Sequence, residues 1–377
     1  MKVLFYVDSG GSTGGPGMHA PLIYRAFRAR FREETGPFAF AASEADQRIF
    51  AGQVGEAALA PLDGRTLVDG GADPVVAEPD FYEKLCALAQ RHGCDHVHVL
   101  WGFVTPSQVE RVPPEARIPV TITLCDATGR GESDEIDQMY FGSDRWERYL
   151  RDALRLRAGY FAISEKTRAD ALAKGVDPAL VETHLLWVAP WLRELRTEDS
   201  EPYLLFVGGL VEYKGISHVL DFALLYPEHE IRVAGYGFDD FPIDWARYPS
   251  IRHLGYLPSY RDVATQMSRA RALLYLSYSE GFGLPMIEAQ TLGTPLIVNS
   301  RNRMVRELLP RGSYVAVGNV SSPSAIKAAV DVATRDRAAL RQAGFANAER
   351  FDETRQVTAL RDAMARENAR QRREGLA

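Results

Sequence analysis

The sequence predicts an α/β protein of two domains, each a parallel sheet with helices on both faces. Three observations carry this expectation. A chain of 377 residues is too long for one ordinary core. Short apolar runs alternate with amphipathic stretches through most of its length. A charged and polar run from Arg193 to Pro202 then breaks the alternation just before a fresh apolar strand, splitting the chain into halves of similar size.

The elements follow in order. Val3–Val7, Val97–Leu100, Val120–Leu124 and Tyr160–Ile163 read as buried strands of the first half. Tyr203–Val207, Ile231–Ala234, Ala272–Leu276 and Pro295–Val298 read the same way in the second. Between them lie helical patterns at Phe81–Arg91, Trp146–Leu156, Val263–Ala270 and Pro323–Thr334, the last with Ser322 as N-cap and Pro323 at the first helical position. Alternation of this kind implies parallel sheets. The domains are set at residues 1–193 and 203–345, with 194–202 as linker and a charged helical tail over 346–377. No internal repeat or low-complexity tract is visible.

Composition narrows the class. Apolar residues make up 46% and charged residues 25%, the profile of a folded globular chain. A net charge of −6 argues against a dedicated nucleic-acid binder, which needs a basic excess. Cys86, Cys94 and Cys125 form no CxxC pair and no even set, which fits neither a disulfide framework nor a structural zinc site. They suit a reducing compartment. The N-terminal apolar run is too short for a signal-peptide core, and nowhere do about 18 apolar residues run together. The expected location is the cytoplasm.

Ligands of open parallel sheets bind beyond the carboxyl ends of the strands. Four post-strand segments qualify. Gly10-Gly11-Ser12-Thr13-Gly14-Gly15-Pro16-Gly17 follows the first strand and precedes a helical stretch, so its backbone can approach an anion closely. It lacks the G-x-G-x-x-G spacing and the P-loop lysine, and a plain surface loop stays open beside a ligand loop. Val207-Gly208-Gly209-Leu210-Val211-Glu212-Tyr213-Lys214-Gly215 sets a lysine beside a glycine turn, suited to a diphosphate.

The third segment runs from Ser279 to Pro295. Pro285 suits a first helical turn and Gly293 the left-handed position that ends a helix. Gly281–Leu284 is then a loop facing a helix N-terminus, a site for phosphate or a sugar hydroxyl. Glu280 stands on the near side of that loop and Glu288 in the first helical turn. Glu288 there could simply stabilise the helix dipole. A glycosidase acid/base pair is the other reading of two carboxylates, but so close a spacing favours hydroxyl clamps. The fourth segment is Thr121–Asp126, with His96 and His98 on the preceding strand. Two histidines share a strand face, yet no third ligand stands at a telling spacing, so they read as satisfied structural residues.

Together these segments resemble the family-4 retaining glycosyltransferases of the GT-B fold, most closely from Tyr203 to Tyr314. Glu280-Gly281-Phe282-Gly283-Leu284-Pro285-Met286-Ile287-Glu288 is similar to that family's E-x7-E motif. Gly255-Tyr256-Leu257 and Ser164-Glu165 also fall where the family has similar residues. The resemblance implies two Rossmann-like domains facing a central cleft, with the C-terminal helix crossing back to the first domain. It implies transfer from a nucleoside-diphosphate sugar to a glycan, lipid or small-molecule acceptor, with retention and without a metal or other cofactor. By the same resemblance Glu280 contacts the donor sugar, Glu288 holds the ribose, and Gly208, Gly209, Lys214, Gly281, Phe282, Gly283 and Leu284 line the donor site. Gly14, Gly15 and Gly17 fall to the cleft loop.

The chain departs from the family pattern in three places. The arginine of G-R-L-x-x-x-K-G is Gly209, leaving Lys214 alone. The T-x-H-D after the fourth strand reads Thr123-Leu124-Cys125-Asp126, so Cys125 stands where a sugar-contacting histidine belongs, beside Asp126. Leu100 replaces the second histidine of H-x-H. Arg301 and Arg303, where the family tends to have glycines, are candidates to replace the missing cation. The alternatives carried forward are a catalytically silent nucleotide-sugar or glycan-binding partner subunit, and an epimerase or phosphorylase on the same architecture. Basic helical stretches at Tyr24–Arg32 and Arg145–Arg157 read as solvated faces, with peripheral contact at the inner membrane face held open.

Overall fold

The computed structural model describes residues 1–8, 15–41, 44–62, 67–69, 74–76, 78–125, 144–237, 243–257 and 259–375. The chain forms two units, Met1–Leu185 with Thr354–Ala377, and Leu186–Glu353.

The first unit is built on strands β1 (Val3–Val7), β2 (Thr35–Ala41), β3 (Leu59–Leu62), β6 (His96–Trp101), β7 (Val120–Leu124), β8 (Gly159–Ala162) and β9 (Val181–Thr183). Their order is β3-β2-β1-β6-β7-β8-β9, and every pairing is parallel. A small antiparallel hairpin, β4 (Leu67–Asp69) with β5 (Pro74–Val76), lies outside that sheet. Every residue of β1, β7 and β8 is buried, as expected of strands covered on both faces. The helix Phe81–Arg91 shows how the covering arises: Phe81, Tyr82, Leu85, Cys86, Leu88 and Ala89 recur at helical spacing and join the core beneath β6 and β7.

The last helix, Glu353–Arg373, lies almost wholly in this unit. Gln371 accepts from the Val120 amide at 3.0 Å and donates to the Val120 carbonyl at 2.8 Å, a bond pair of the kind a neighbouring strand supplies. A Cβ on Gly159 would lie 2.4 Å from the Glu367 side chain, so this strand start has no room for a larger residue. Arg361 forks onto Glu34 at 2.8 and 3.0 Å.

The second unit contains β10 (Tyr203–Gly209), β11 (Glu230–Tyr236), β12 (Ile251–Gly255), β13 (Ala272–Tyr275), β14 (Leu296–Asn299) and β15 (Val315–Val317). Their order is β12-β11-β10-β13-β14-β15, again all parallel. This is the doubly wound order three-two-one-four-five-six, whose direction reverses between β10 and β13. The expected linker, 194–202, belongs to this unit, which starts at Leu186. Arg196 binds the Thr291 carbonyl at 2.7 Å, and Arg341 binds the Thr197 carbonyl at 2.8 Å, fastening the run to the domain.

Among the described residues, no helix is long and apolar enough to cross a membrane.

Candidate active site

The reversal of strand order in the second unit leaves the loops after β10 and β13 adjacent at the carboxyl edge, with the loop after β14 next to them. The β10 loop runs through a 3-10 turn, Glu212–Lys214, and the β13 loop through Leu276–Gly283. The two are stitched by Tyr278 N–H to the Tyr213 carbonyl at 2.9 Å and by Ser277 Oγ to the same oxygen at 3.3 Å. This places Lys214 Nζ 2.6 and 2.7 Å from the two oxygens of Glu280. Burial opposes the charge on Lys214, but the attraction and hydrogen bond of Glu280 outweigh it and hold the ammonium above its usual range.

The helix after the loop spans Leu284–Leu292, with Pro285 in its first turn and Gly293 closing it at φ 83°. Gly283, its N-cap, sits at φ 88°, where a side chain would also press on the Tyr275 hydroxyl at 2.8 Å. The helix therefore starts directly after the loop that carries Glu280; Pro285 has no N–H and the Met286 N–H bonds the Gly283 carbonyl at 3.0 Å, which leaves the Leu284 N–H at the opening. One expectation needs correction. Glu288 lies in the second turn, not the first, and is only 6% exposed, so a helix-dipole role does not account for it. The Phe282 side chain packs on Phe351, with ring centroids 5.9 Å apart.

Glu288 receives the hydroxyl of Tyr260. Burial is the larger influence and pushes its carboxyl up to about 7, with the Tyr260 bond opposing. Tyr275 feels both carboxylates: burial, then Glu280, and also Glu288, raise its hydroxyl well above the usual range. Reading along the sequence missed both tyrosines, because neither belongs to a motif and Tyr260 precedes the expected start of its helix. On the third loop, buried Asn299 and Asn302 brace the backbone. Asn302 binds the Ser277 carbonyl at 3.0 Å and caps the helix Arg303–Leu308. Arg301 and Arg303 are exposed on that loop and at the start of that helix.

At the remaining predicted positions of this unit, Gly208 and Gly209 end β10, and the ring of Tyr236 lies over Gly209. Gly281 is half-buried and Leu284 is buried.

Residues 190–350 match the family model of the glycosyl transferases, group 1. O-antigen chain mannosyltransferase B of Escherichia coli is 29% identical over 163 residues, 40% of this chain and 42% of that enzyme. The chain thus matches about two fifths of that relative's length. Among solved structures, HepE of Anabaena in complex with UDP and glucose aligns over 97% of this chain and 99% of its own, at TM-score 0.71 and 16% identity. Sucrose-phosphate synthase of Thermosynechococcus elongatus aligns over 99% of both chains, at TM-score 0.63 and 16% identity. At these identities the likeness shows the fold, two Rossmann-like domains of the GT-B class. Lys214, Glu280, Glu288, Arg301 and Arg303 all lie in the group 1 segment.

Predicted residues of the first unit fall outside that segment. Gly15 and Gly17 begin the helix Gly15–Arg30 rather than forming a loop. Gly14 and Asp126 lie outside the described residues. Cys125 follows β7, partly exposed, its thiol 3.7 Å from the Leu100 carbonyl.

His96 and His98 are fully buried in a directed chain. Arg372 holds the Asn368 amide oxygen at 3.1 Å, so Asn368 Nδ2 donates to His96 Nδ1 at 3.2 Å. His96 Nε2 then donates to Thr121 Oγ1 at 2.8 Å, and the same oxygen lies 2.9 Å from His98 Nδ1. His98 Nε2 ends the chain on Thr123 Oγ1 at 3.0 Å. Both rings are satisfied structural histidines. Among the described residues, no group of three or more His, Cys, Asp or Glu is placed to hold a metal ion.

The basic stretches divide by face. Tyr24 and Phe27 are buried while Arg25, Arg28, Arg30 and Arg32 are exposed, and Tyr149 and Leu150 are buried while Arg151 and Arg155 are exposed. Their buried aromatics belong to the core, and these arginines lie on the exposed side.

Proposed function

We propose that the chain is a retaining, metal-independent glycosyltransferase of the family-4 type, moving a sugar from a nucleoside-diphosphate sugar to a glycan, lipid or small-molecule acceptor. The observation that carries this is the Lys214–Glu280 pair beside the opening of the Leu284–Leu292 helix, at the switch point of a doubly wound sheet. A nucleotide there would place its diphosphate against the helix opening and Lys214, and its ribose against Glu288. Glu280 would accept from a sugar hydroxyl while its bond to Lys214 keeps both side chains oriented. As the anomeric bond breaks, negative charge grows on the diphosphate, and preorganised donors stabilise it most at that point. The solved complexes of HepE with UDP and glucose and with UDP-glucose support the nucleotide-sugar class.

The chain's own departures favour a second reading, a silent nucleotide-sugar-binding partner subunit. Gly209 brings no cation to the diphosphate, and Lys214 is already engaged by Glu280. One experiment separates the two. UDP-, GDP-, ADP- and dTDP-sugars are screened by thermal shift, and the stabilising donors are then assayed for transfer with EDTA present. A ligand at about 100 times its dissociation constant raises stability by roughly 2.7 kcal/mol. Transfer that retains the anomeric configuration and is lost in Glu280→Gln supports the enzyme. Donor binding without transfer to any acceptor supports the partner. Inversion at the anomeric carbon, or a requirement for metal, overturns the retaining, metal-independent mechanism.

A further inference from the structure

Glu288 is a buried carboxylate whose hydrogen-bond partner lies outside every sequence motif. Tyr260, the first residue of the helix Tyr260–Arg269, donates its hydroxyl to Glu288 Oε1. The tyrosine ring is itself located from the other side. It stands edge-on to Trp191 with centroids 5.6 Å apart at 87°, and the Arg261 guanidinium covers Trp191 at 5.3 Å. Trp191 belongs to the 3-10 turn Pro190–Leu195, so two separate elements fix the direction of one hydroxyl.

We propose that Tyr260 is a positioning residue for the ribose: its hydroxyl holds the Glu288 carboxylate oriented so that the remaining lone pairs accept from a vicinal diol. The inference rests on reading Glu288 as the ribose-binding group. An ionised carboxylate offers about four acceptor sites, of which Tyr260 uses one, leaving room for two ribose hydroxyls. A protonated carboxyl would present its own O–H and lose one of those bonds.

Few groups compete for this role. Among the described residues, the titratable side chains coupled to Glu288 are Tyr260 and, from β13, Tyr275. Charges on the packed elements are engaged elsewhere: Arg193 with Glu349, Arg261 with Glu194, and Arg341 with Glu198. Burial drives the carboxyl toward its neutral form near neutral pH, and Tyr260 is the hydrogen bond that opposes it. Nucleotide affinity should therefore rise as pH increases through neutrality. Loss of the tyrosine hydroxyl should move that rise to higher pH.

The test is calorimetry from pH 6 to 9 with UDP, GDP and ADP, each beside its 2′,3′-dideoxy analogue, on the parent protein and Tyr260→Phe. The parent should prefer the ribose form by at least about tenfold, the worth of a single hydrogen bond to a charged group, since the analogue loses both hydroxyls. In Tyr260→Phe that preference should shrink at pH 7 and return at higher pH, while dideoxynucleotide affinity stays at the parent value. If none of the three nucleotides binds, or the parent ignores the diol, the Glu288 reading fails. If the parent prefers the diol but Tyr260→Phe keeps the same preference and pH midpoint, the role of Tyr260 is overturned and Glu288 stands. Equal loss of ribose and dideoxy forms would likewise overturn it, since that marks a merely structural contact.

Discussion

The ring of Tyr236 covers Gly209: a Cβ built on the glycine would lie 3.0 Å from both Cε2 and Cζ of the tyrosine. Gly209 has no positive φ, so a side chain there meets a space problem and not a backbone one. Tyr236 ends β11 and is 42% exposed, which leaves its ring free to swing away at modest expense. Gly209→Arg by itself should cost about 1 kcal/mol, the low end for overpacking. Gly209→Arg with Tyr236→Ser should recover that stability and raise turnover above the parent. Thermal melts and initial rates of the two variants check this, and no gain in the double variant would count against a missing cation at this strand end.

Arg301 stands on the loop after β14 and Arg303 begins the helix that follows, next to the strand that delivers Glu280. A guanidinium from here could reach a diphosphate with a two-pronged grip that lysine lacks. Arg301→Ala or Arg303→Ala should lower turnover by about 100-fold, with donor affinity falling much less, because the charge grows only as the bond breaks. Steady-state rates beside donor titrations measure both quantities. Full activity in both variants would end the compensation idea.

Burial raises the Glu288 carboxyl to about 7, so its ionisation works against the fold. The sign follows from linkage: a carboxyl with a raised folded pKa favours folding at low pH, and that contribution fades between about 4.5 and 7 as pH rises. Glu288→Gln should therefore stabilise the nucleotide-free protein by about 3 kcal/mol at pH 8 and hardly at all at pH 4. Nucleotide affinity should fall in the same variant. Denaturant melts at the two pH values, paired with calorimetry, test a trade of stability for binding.

His96 and His98 titrate in the opposite sense. Burial lowers His96 to about 3 and puts His98 well below its usual range. Unfolding exposes rings that take up protons below about pH 6.5, so stability should fall as pH drops from there toward 3. His96 alone should account for about 2 kcal/mol at pH 5. Replacing both rings in His96→Gln/His98→Gln should flatten the slope of stability against pH over this window, whatever it does to the absolute value.

Much of this was legible in the sequence. Val3–Val7, Val120–Leu124 and Phe81–Arg91 appear at their predicted bounds, because a strand buried on both faces is continuously apolar and a covering helix repeats its apolar residues every three or four. Short or part-exposed strands such as Val181–Thr183, Ile251–Gly255 and Val315–Val317 escaped notice, since three to five mixed residues carry no periodic signal. The loop, cap and stop around Glu280–Gly293 were readable because glycine and proline announce their backbone geometry locally.

The sequence by itself thus determined the layered α/β class, the parallel strands and the segment that carries the candidate site, all of which depend on residues near one another in the chain. Tertiary structure decided which side chains meet. Lys214 and Glu280 are 66 residues apart, and only strand order brings their loops together. Tyr260 finds Glu288 across 28 residues, and Asn368 reaches His96 across 272. A hydrogen bond acts over about 3 Å, whereas periodicity and capping act along the chain. The partners that tune a buried carboxylate or fix a histidine's proton therefore appear only when the sheet has folded.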